Sequence, residues 1–313
     1  MDPLRIRVLG TLAIHRGDTS VPAFPTKRSE SLLAYLLVHQ GRLVHRDVVC
    51  GEFWADCSDS DARKALRTEL WRIRSVLEPE PQDKGTVLQV EGDHVGVVGT
   101  DHLWVDLWEV ERCLRMLDGR GGKLDESSVR RLERAVRLYG GDLLEGHYAN
   151  WCVLHRERMR IEYLAALEQL MEYARRRGDW RSTIARARQV LRHDPLREHV
   201  HRVIMASHHA MGNRPSALRQ YQVCVEVLRH EFDIEPMEET SALYQQIRNG
   251  SSVGSVREMG GRAELSRTST RAEEPLAEVN NALEHLYALT LRLERTRSAL
   301  TSGHGRGSLP PSP

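Results

Sequence analysis

Across residues 61–77, DARKALRTELWRIRSVL, the apolar positions Leu66, Leu70, Ile73 and Leu77 recur at steps of four, three and four. That spacing draws one stripe along an α-helix and predicts a helix facing a core. At about 100° per residue, Lys64, Arg67, Thr68, Trp71, Arg72 and Ser75 fall on the remaining arc, with Arg63 and Arg74 at its border. Upstream, LRIRVLGTLAIHRGDTSVPA alternates, with turn residues at Gly10 and Gly17-Asp18, and predicts two or three short antiparallel strands. TKRSESLLAYLLVHQG predicts a helix whose Leu32, Leu33, Leu36 and Leu37 form a wide apolar face, ended by Gly41. HRDVVCGEFWA predicts a shorter helix with Val48, Val49, Phe53 and Trp54 inward. DCSDSD is then a loop, with Ser58 or Ser60 as N-cap of the basic helix and Asp61 suited to its positive end. After Pro79 and Pro81, VLQV and VGVV flank EGDH, which predicts a β-hairpin.

Beyond Asp101 the pattern is helical almost without break. GDWRSTIARARQVLRHDP from Gly178 has an echo in GNRPSALRQYQVCVEVLRHEFDIEP from Gly212, 34 residues on, with Ser182/Ser216, Ile184/Leu218 and Leu191/Val225 keeping the offset. That period is the tetratricopeptide one; two ordinary antiparallel helix pairs are the plainer reading. Residues 250–275, rich in Gly, Ser and charge, read as a flexible linker. Leu276, Val279, Leu283, Leu286, Thr290, Leu293, Arg297 and Leu300 then recur at +3, +4 as a heptad seam, weakened by Thr290 and Arg297. Self-association is assigned to Leu276, Val279, Leu283, Leu286, Leu293 and Leu300, which would pair two copies of the chain.

Sheet, three helices and hairpin is the order of a winged helix, in which the third helix enters the DNA major groove and the hairpin is the wing. Basic residues on an amphipathic helix more often meet only water. Here Trp71 places a large apolar ring on the polar arc, and Thr68 is a weak helix former that an idle face would not need. The expected fold is α+β, mainly α. A winged-helix DNA-binding domain with an antiparallel sheet and wing hairpin (1–100) precedes an all-α, tetratricopeptide-like helical-repeat domain (101–249). The linker, a heptad helix (276–301) and a disordered tail (302–313) follow.

Composition narrows the partners. With 45 Lys+Arg against 44 Asp+Glu in 313 residues the net charge is +1, so any DNA-binding surface must be local. The longest apolar run, Leu32 to Val38, is far too short for a membrane helix, and the N-terminus lacks a signal-peptide core. Five cysteines, odd in number and without a CxxC pair, read as reduced thiols in a cytoplasm.

Three stretches carry a family resemblance: ARKALRTELWRIRSVLEP (62–79), LYGGDLLEGHYANWCVLHRERM (138–159), and Asp194-Pro195-Leu196-Arg197-Glu198 with Ala210-Met211-Gly212-Asn213-Arg214. The chain resembles, over roughly residues 4 to 248, the SARP-type bacterial transcriptional activators, which join a response-regulator-type winged helix to a bacterial transcriptional activator domain. The second stretch is the most specific, through Tyr139, Gly141, Leu143, Leu144, Gly146, Trp151 and Arg156. The resemblance implies groove-facing positions at Arg67, Thr68, Trp71, Arg72 and Arg74, with Arg63 nearer the backbone; Lys64 shares their outward arc. It implies phosphate contacts from Lys27, Arg28 and Arg46 beside helix N-termini. It also implies a contact with RNA polymerase holoenzyme at the loop Ala55, Asp56, Cys57, Ser58 and Asp59.

Departures from the family pattern are expected to matter. The wing, Gly85 to Gly99, offers no Arg or Lys, only His94, and His45 replaces the usual Ser or Thr cap of the second helix. Gly122-Lys123 lacks the spaced glycine and the Ser/Thr of a P-loop, and no receiver domain precedes the winged helix, so neither switch is expected. The repeat-region histidines His193, His199, His201, His208 and His209 show no HExxH and no carboxylate placed to finish a zinc site. No GxSxG or Cys/His nucleophile appears. Expected, then, is a sequence-specific DNA-binding regulator, not an enzyme, with no cofactor and no metal. It would act in the bacterial cytoplasm, nucleoid-associated, on double-stranded promoter DNA, and a small-molecule or peptide effector at the repeats stays unidentified. The alternative is a helical-repeat scaffold without sequence-specific DNA binding, whose winged helix mediates protein contacts and whose RRRGDWR turn (175–181) and ten arginines between Arg156 and Arg192 meet an acidic partner.

Overall fold

The computed structural model describes residues 2–115 and 124–250. The linker, the heptad positions from Leu276 to Leu300 and the tail lie outside the described residues. The described residues divide into two compact units, one holding residues 2–108 and Gly141–Arg156, the other residues 109–115, 124–140 and 157–250.

In the first unit the alternating stretch forms β1 (Leu4–Arg7), β2 (Ala13–Arg16) and β3 (Thr19–Ser20), antiparallel, with Ile6 opposite Ile14. A strand that the sequence pattern did not predict, β7 (Leu103–Val105), lies parallel to β1 with Leu4 opposite Leu103. Three residues are too few to show a period. Helix α1 (Lys27–Val38) buries Leu32, Leu33, Leu36 and Leu37 completely. Thr26 caps it by accepting from the Ser29 amide at 3.0 Å.

Between α1 and α2 (Arg46–Phe53) the chain makes a second unpredicted strand, β4 (Val44–His45). It completes an antiparallel sheet of order β4-β6-β5 with the hairpin strands β5 (Leu88–Glu91) and β6 (His94–Val97). His45 ends that strand and caps α2, its Nδ1 accepting from the Asp47 amide at 3.2 Å. In α2, Val49 and Cys50 are buried, Trp54 just beyond it is buried, and Val48 and Phe53 are only half so. The basic helix α3 runs Asp59–Leu77, starting two residues before the predicted bound. Its cap is Ser58, which accepts from the Asp61 amide at 3.2 Å. Leu66, Ile73 and Leu77 are buried against the same core as α1, as the stripe predicted.

Two polar devices tie distant chain segments into this unit. Asp106, fully buried at the start of α4 (Asp106–Arg115), accepts from the amides of Val8 at 2.9 Å, Leu9 at 3.1 Å and Leu107 at 2.7 Å. Burial pushes its carboxyl above the ordinary aspartate range, and those three bonds pull the other way. Residues Gly141–Arg156 extend the same region: the amides of Gly10, Leu144 and Glu145 bond to Asp142, Val8 and Gly10 carbonyls at 2.8–2.9 Å. The Arg156 guanidinium donates to the carbonyls of Leu143, Leu144 and His147 at 2.7–2.8 Å, clasping a turn in which Leu144 has φ of 52°. Trp151 meets the Tyr35 ring edge-on at 5.3 Å. The most family-specific stretch of the sequence therefore packs on the winged-helix core.

The second unit is helical. It comprises α5 (Glu126–Leu138), the C-terminal part of α6 (Asn150–Arg176), α7 (Trp180–His193), α8 (Glu198–Ala210), α9 (Arg214–Phe232) and α10 (Glu238–Asn249). The 34-residue echo is structural. Gly178 and Gly212 have φ of 74° and 73°, a conformation that costs glycine nothing. One residue later Asp179 and Asn213 cap α7 and α9 by accepting from the amides of Ser182 and Ser216, at 3.0 and 3.3 Å. In the Asp194–Glu198 stretch, Arg197 binds Asp194 at 2.9 Å and also Glu168. Burial pushes Glu168 up, but His199 and Arg197 outweigh it and hold the carboxyl below its usual range.

His201, buried in this unit, bonds the Pro195 carbonyl through Nε2 and the Gln220 amide through Nδ1, both at 2.9 Å. That arrangement suits a neutral ring, and burial lowers its pKa. The folded state thus binds a proton less readily than the unfolded chain. His201 contributes stability that is complete above the unfolded value of about 6.5 and declines as pH falls below it. Thermal melts are expected to lose Tm progressively below about pH 6.5. The slope should be smaller in His201→Gln, with His39 and His208, also lowered by burial, supplying the remainder. An unchanged slope would remove His201 from that role.

Candidate nucleic-acid interface

The outward arc of α3 carries a continuous exposed stripe of Lys64, Arg67, Thr68, Trp71 and Ser75. Trp71 is 67 % exposed, on a helix whose opposite face is core. Among the described residues, the side chains of Lys64 and Arg67 make no ion pair or hydrogen bond. The hydroxyls of Thr68 and Ser75 donate to the Lys64 and Trp71 carbonyls one turn back, at 3.1 and 2.9 Å. That geometry is common for hydroxyls in helices.

The other predicted arginines are held. Arg63, half exposed, donates to Asp47 of α2 at 2.7 and 3.1 Å, which ties the start of α3 to its neighbour. Arg72 donates to Glu69 at 2.6 Å, and the buried Glu69 carboxylate also accepts from Thr26 at 2.9 Å and from Ser29. One carboxylate therefore fixes Arg72 and locks α3 to the N-terminal cap of α1. Arg74 departs furthest from a groove-facing role. It donates to Glu78 and to the Leu88 carbonyl, each at 3.0 Å, and so braces α3 against the hairpin. Glu78 is buried and accepts in addition from the amides of Gly85, Val87 and Leu88 at 2.7–2.9 Å. Arg74 sits at the border of the polar arc with an acid four residues on, so its charge turns along the helix and not outward.

Lys27 and Arg28 are exposed in the first turn of α1, with Arg28 5.5 Å from the centre of the Trp54 ring. Arg46 opens α2 half-buried, its Nε without a partner among the described residues. Residues Ala55 to Asp59 are all exposed; Ser58 is the α3 cap and Asp59 its first residue, leaving Ala55, Asp56 and the free thiol Cys57 as the turn proper. The hairpin Leu88–Val97 presents no cation, and the ring of His94 meets His45 at 5.0 Å.

Asp47, Glu69 and Glu78 were not singled out from sequence. The Glu69/Arg72 and Arg74/Glu78 spacings, three and four apart, were the available signal. Among the described residues no group of three or more His, Cys, Asp or Glu could hold a metal ion, and no helix is long and apolar enough to cross a membrane.

The bacterial transcriptional activator domain family matches residues 105–248. Regulatory protein AfsR of Streptomyces coelicolor is 24 % identical over 307 residues, covering 97 % of this chain and 28 % of that protein. Regulatory protein AfsR of Streptomyces griseus is 22 % identical over 247 residues, covering 79 % of this chain and 24 % of its own length. The chain thus spans about a quarter of the curated relatives it matches. Among solved structures, Mycobacterium tuberculosis EmbR in complex with a low-affinity phosphopeptide superposes with a TM-score of 0.62 at 19 % identity, over 87 % of this chain and 72 % of that one. That likeness is one of fold.

Proposed function

Because the chain carries a bacterial transcriptional activator domain and its relatives support a SARP-type bacterial transcriptional activator, we propose that it binds promoter DNA sequence-specifically through α3 and activates by recruiting RNA polymerase. The observation that carries the reading is the exposed α3 stripe. Lys64 and Arg67 have no partner among the described residues, while Arg63, Arg72 and Arg74 are each engaged within the fold. Cations left uncompensated on a helix that a winged helix presents to the major groove suit a polyanion with readable base edges. Lys27, Arg28 and Arg46 flank the stripe as phosphate contacts, and Arg74 is a brace. On this reading the protein works in the bacterial cytoplasm at the nucleoid.

The test is a titration of the full chain against duplexes selected from a random pool and against unselected duplex, over a salt series. A preference of about 10³-fold or more and a steep salt slope support the reading. Undetectable duplex binding at low salt would sink it in favour of the scaffold. Two of the ten arginines on which that rival rests, Arg175 and Arg176, both bind Glu172, at 2.6–2.9 Å.

Recruitment predicts a separable phenotype. Asp56→Lys, in the exposed turn and outside the Ser58 cap, is expected to abolish activated transcription in vitro while leaving promoter affinity within about twofold. Equal loss of both would make the turn structural only.

A further inference from the structure

A base edge can be read by hydrogen bonds or by apolar contact, and the α3 stripe is divided between the two. Lys64 and Arg67 supply hydrogen-bond donors at its N-terminal end. One turn on, the hydroxyl protons are already committed. The Thr68 hydroxyl is committed to the Lys64 carbonyl and the Ser75 hydroxyl to the Trp71 carbonyl, and between them stands the Trp71 ring, 67 % exposed. With its hydroxyl proton committed to its own backbone, Thr68 turns its methyl group beside that ring and keeps its oxygen only as an acceptor. The middle of the stripe is therefore mainly apolar, the broad indole face beside a methyl group, with the cations Lys64 and Arg67, unpaired among the described residues, on its N-terminal side.

An apolar surface of this kind has one partner in the major groove. Among the four bases only thymine carries an apolar group there, the C5-methyl, and side-chain carbon against that methyl is an established mode of readout. Unmatched, the ring would leave an unfavourable apolar patch against hydrated base edges. Resting on the reading of α3 as a groove helix, we propose that Trp71, with Thr68, recognises thymine by its C5-methyl group, next to a base read by Arg67. The favoured sites then contain a thymine at a fixed step from the Arg67-contacted base. A 5-methylcytosine in that position supplies the same methyl.

The experiment uses the full chain and a duplex selected from a random pool, resynthesised with uracil in place of each thymine singly and of all thymines. Uracil removes the methyl and leaves the pairing edge intact. Wild-type affinity is expected to fall about fourfold for each methyl that touches the ring, the value of one buried carbon group, and to recover with 5-methylcytosine against cytosine at the same step. Trp71→Ala should bind the thymine duplex more weakly and be indifferent to uracil, with an unchanged melting temperature because the ring is outside the core. Equal wild-type affinity for thymine and uracil duplexes overturns the proposal, as does a Trp71→Ala variant that keeps full methyl sensitivity. A wild type that selects no duplex overturns the groove-helix reading itself, and with it this inference; methyl indifference with a selected duplex overturns this inference alone.

Discussion

Glu78→Ala is expected to lower the melting temperature by on the order of 10–20 °C, the largest effect of any single substitution considered for this fold. The carboxylate is buried at the end of α3 and accepts four hydrogen bonds: from the amides of Gly85, Val87 and Leu88, and from Arg74. Truncation leaves three amides and a half-buried guanidinium without an acceptor. Breaking a buried ion pair from one side costs about 3–5 kcal/mol, and each orphaned donor about 1–3 kcal/mol, though these overlap and do not add. Glu78→Gln keeps the shape and part of the acceptor capacity, and should fall about midway. Calorimetry of the two variants beside the wild type decides it. A Glu78→Ala protein that melts within about 2 °C of wild type would show that the hairpin base is held by apolar packing alone. Because the same carboxylate aligns α3 with the hairpin, the variant should also lose duplex affinity even where it remains folded.

Arg67→Glu should have the opposite profile, with nearly all specific DNA binding lost and stability kept. Its side chain is exposed and makes no bond among the described residues, so its removal leaves nothing buried unpaired. Removing the contact alone, as in Arg67→Ala, is expected to cost ~1–3 kcal/mol on a selected duplex and to relax base preference. The glutamate adds repulsion from the phosphates within a Debye length of about 8 Å. An Arg67→Ala loss that is equal on unselected duplex would instead make it a phosphate contact. Arg74→Ala provides the contrast. It should behave like a mild Glu78 variant, losing stability first, since its donors serve Glu78 and Leu88.

What the linear pattern determined by itself was local. Steps of three and four placed the stripe of α3 and the wide face of α1, because a helix repeats its faces within a single turn. A serine cap at Ser58 or Ser60 and the EGDH turn were legible for the same reason, as was the 34-residue echo, whose two glycines and two capping residues each act within four residues. Periodicity names a buried face but not the element that covers it. Thus β4 and β7, two and three residues long, exist only because β6 and β1 offer them edges. The stretch Gly141–Arg156, read as part of the helical half, folds onto β1 and α1 through backbone bonds to Val8 and Gly10 and the Trp151–Tyr35 contact. The same limit divided the arginines of α3, which the helical period separates only into arc and border. Arg67 remains unpaired among the described residues while Arg63, Arg72 and Arg74 are tied down. Which of them an acid reaches depends on Asp47 from another helix and on Glu69 and Glu78, buried by tertiary packing: charge position is written in the chain, but charge pairing is decided by what folds beside it.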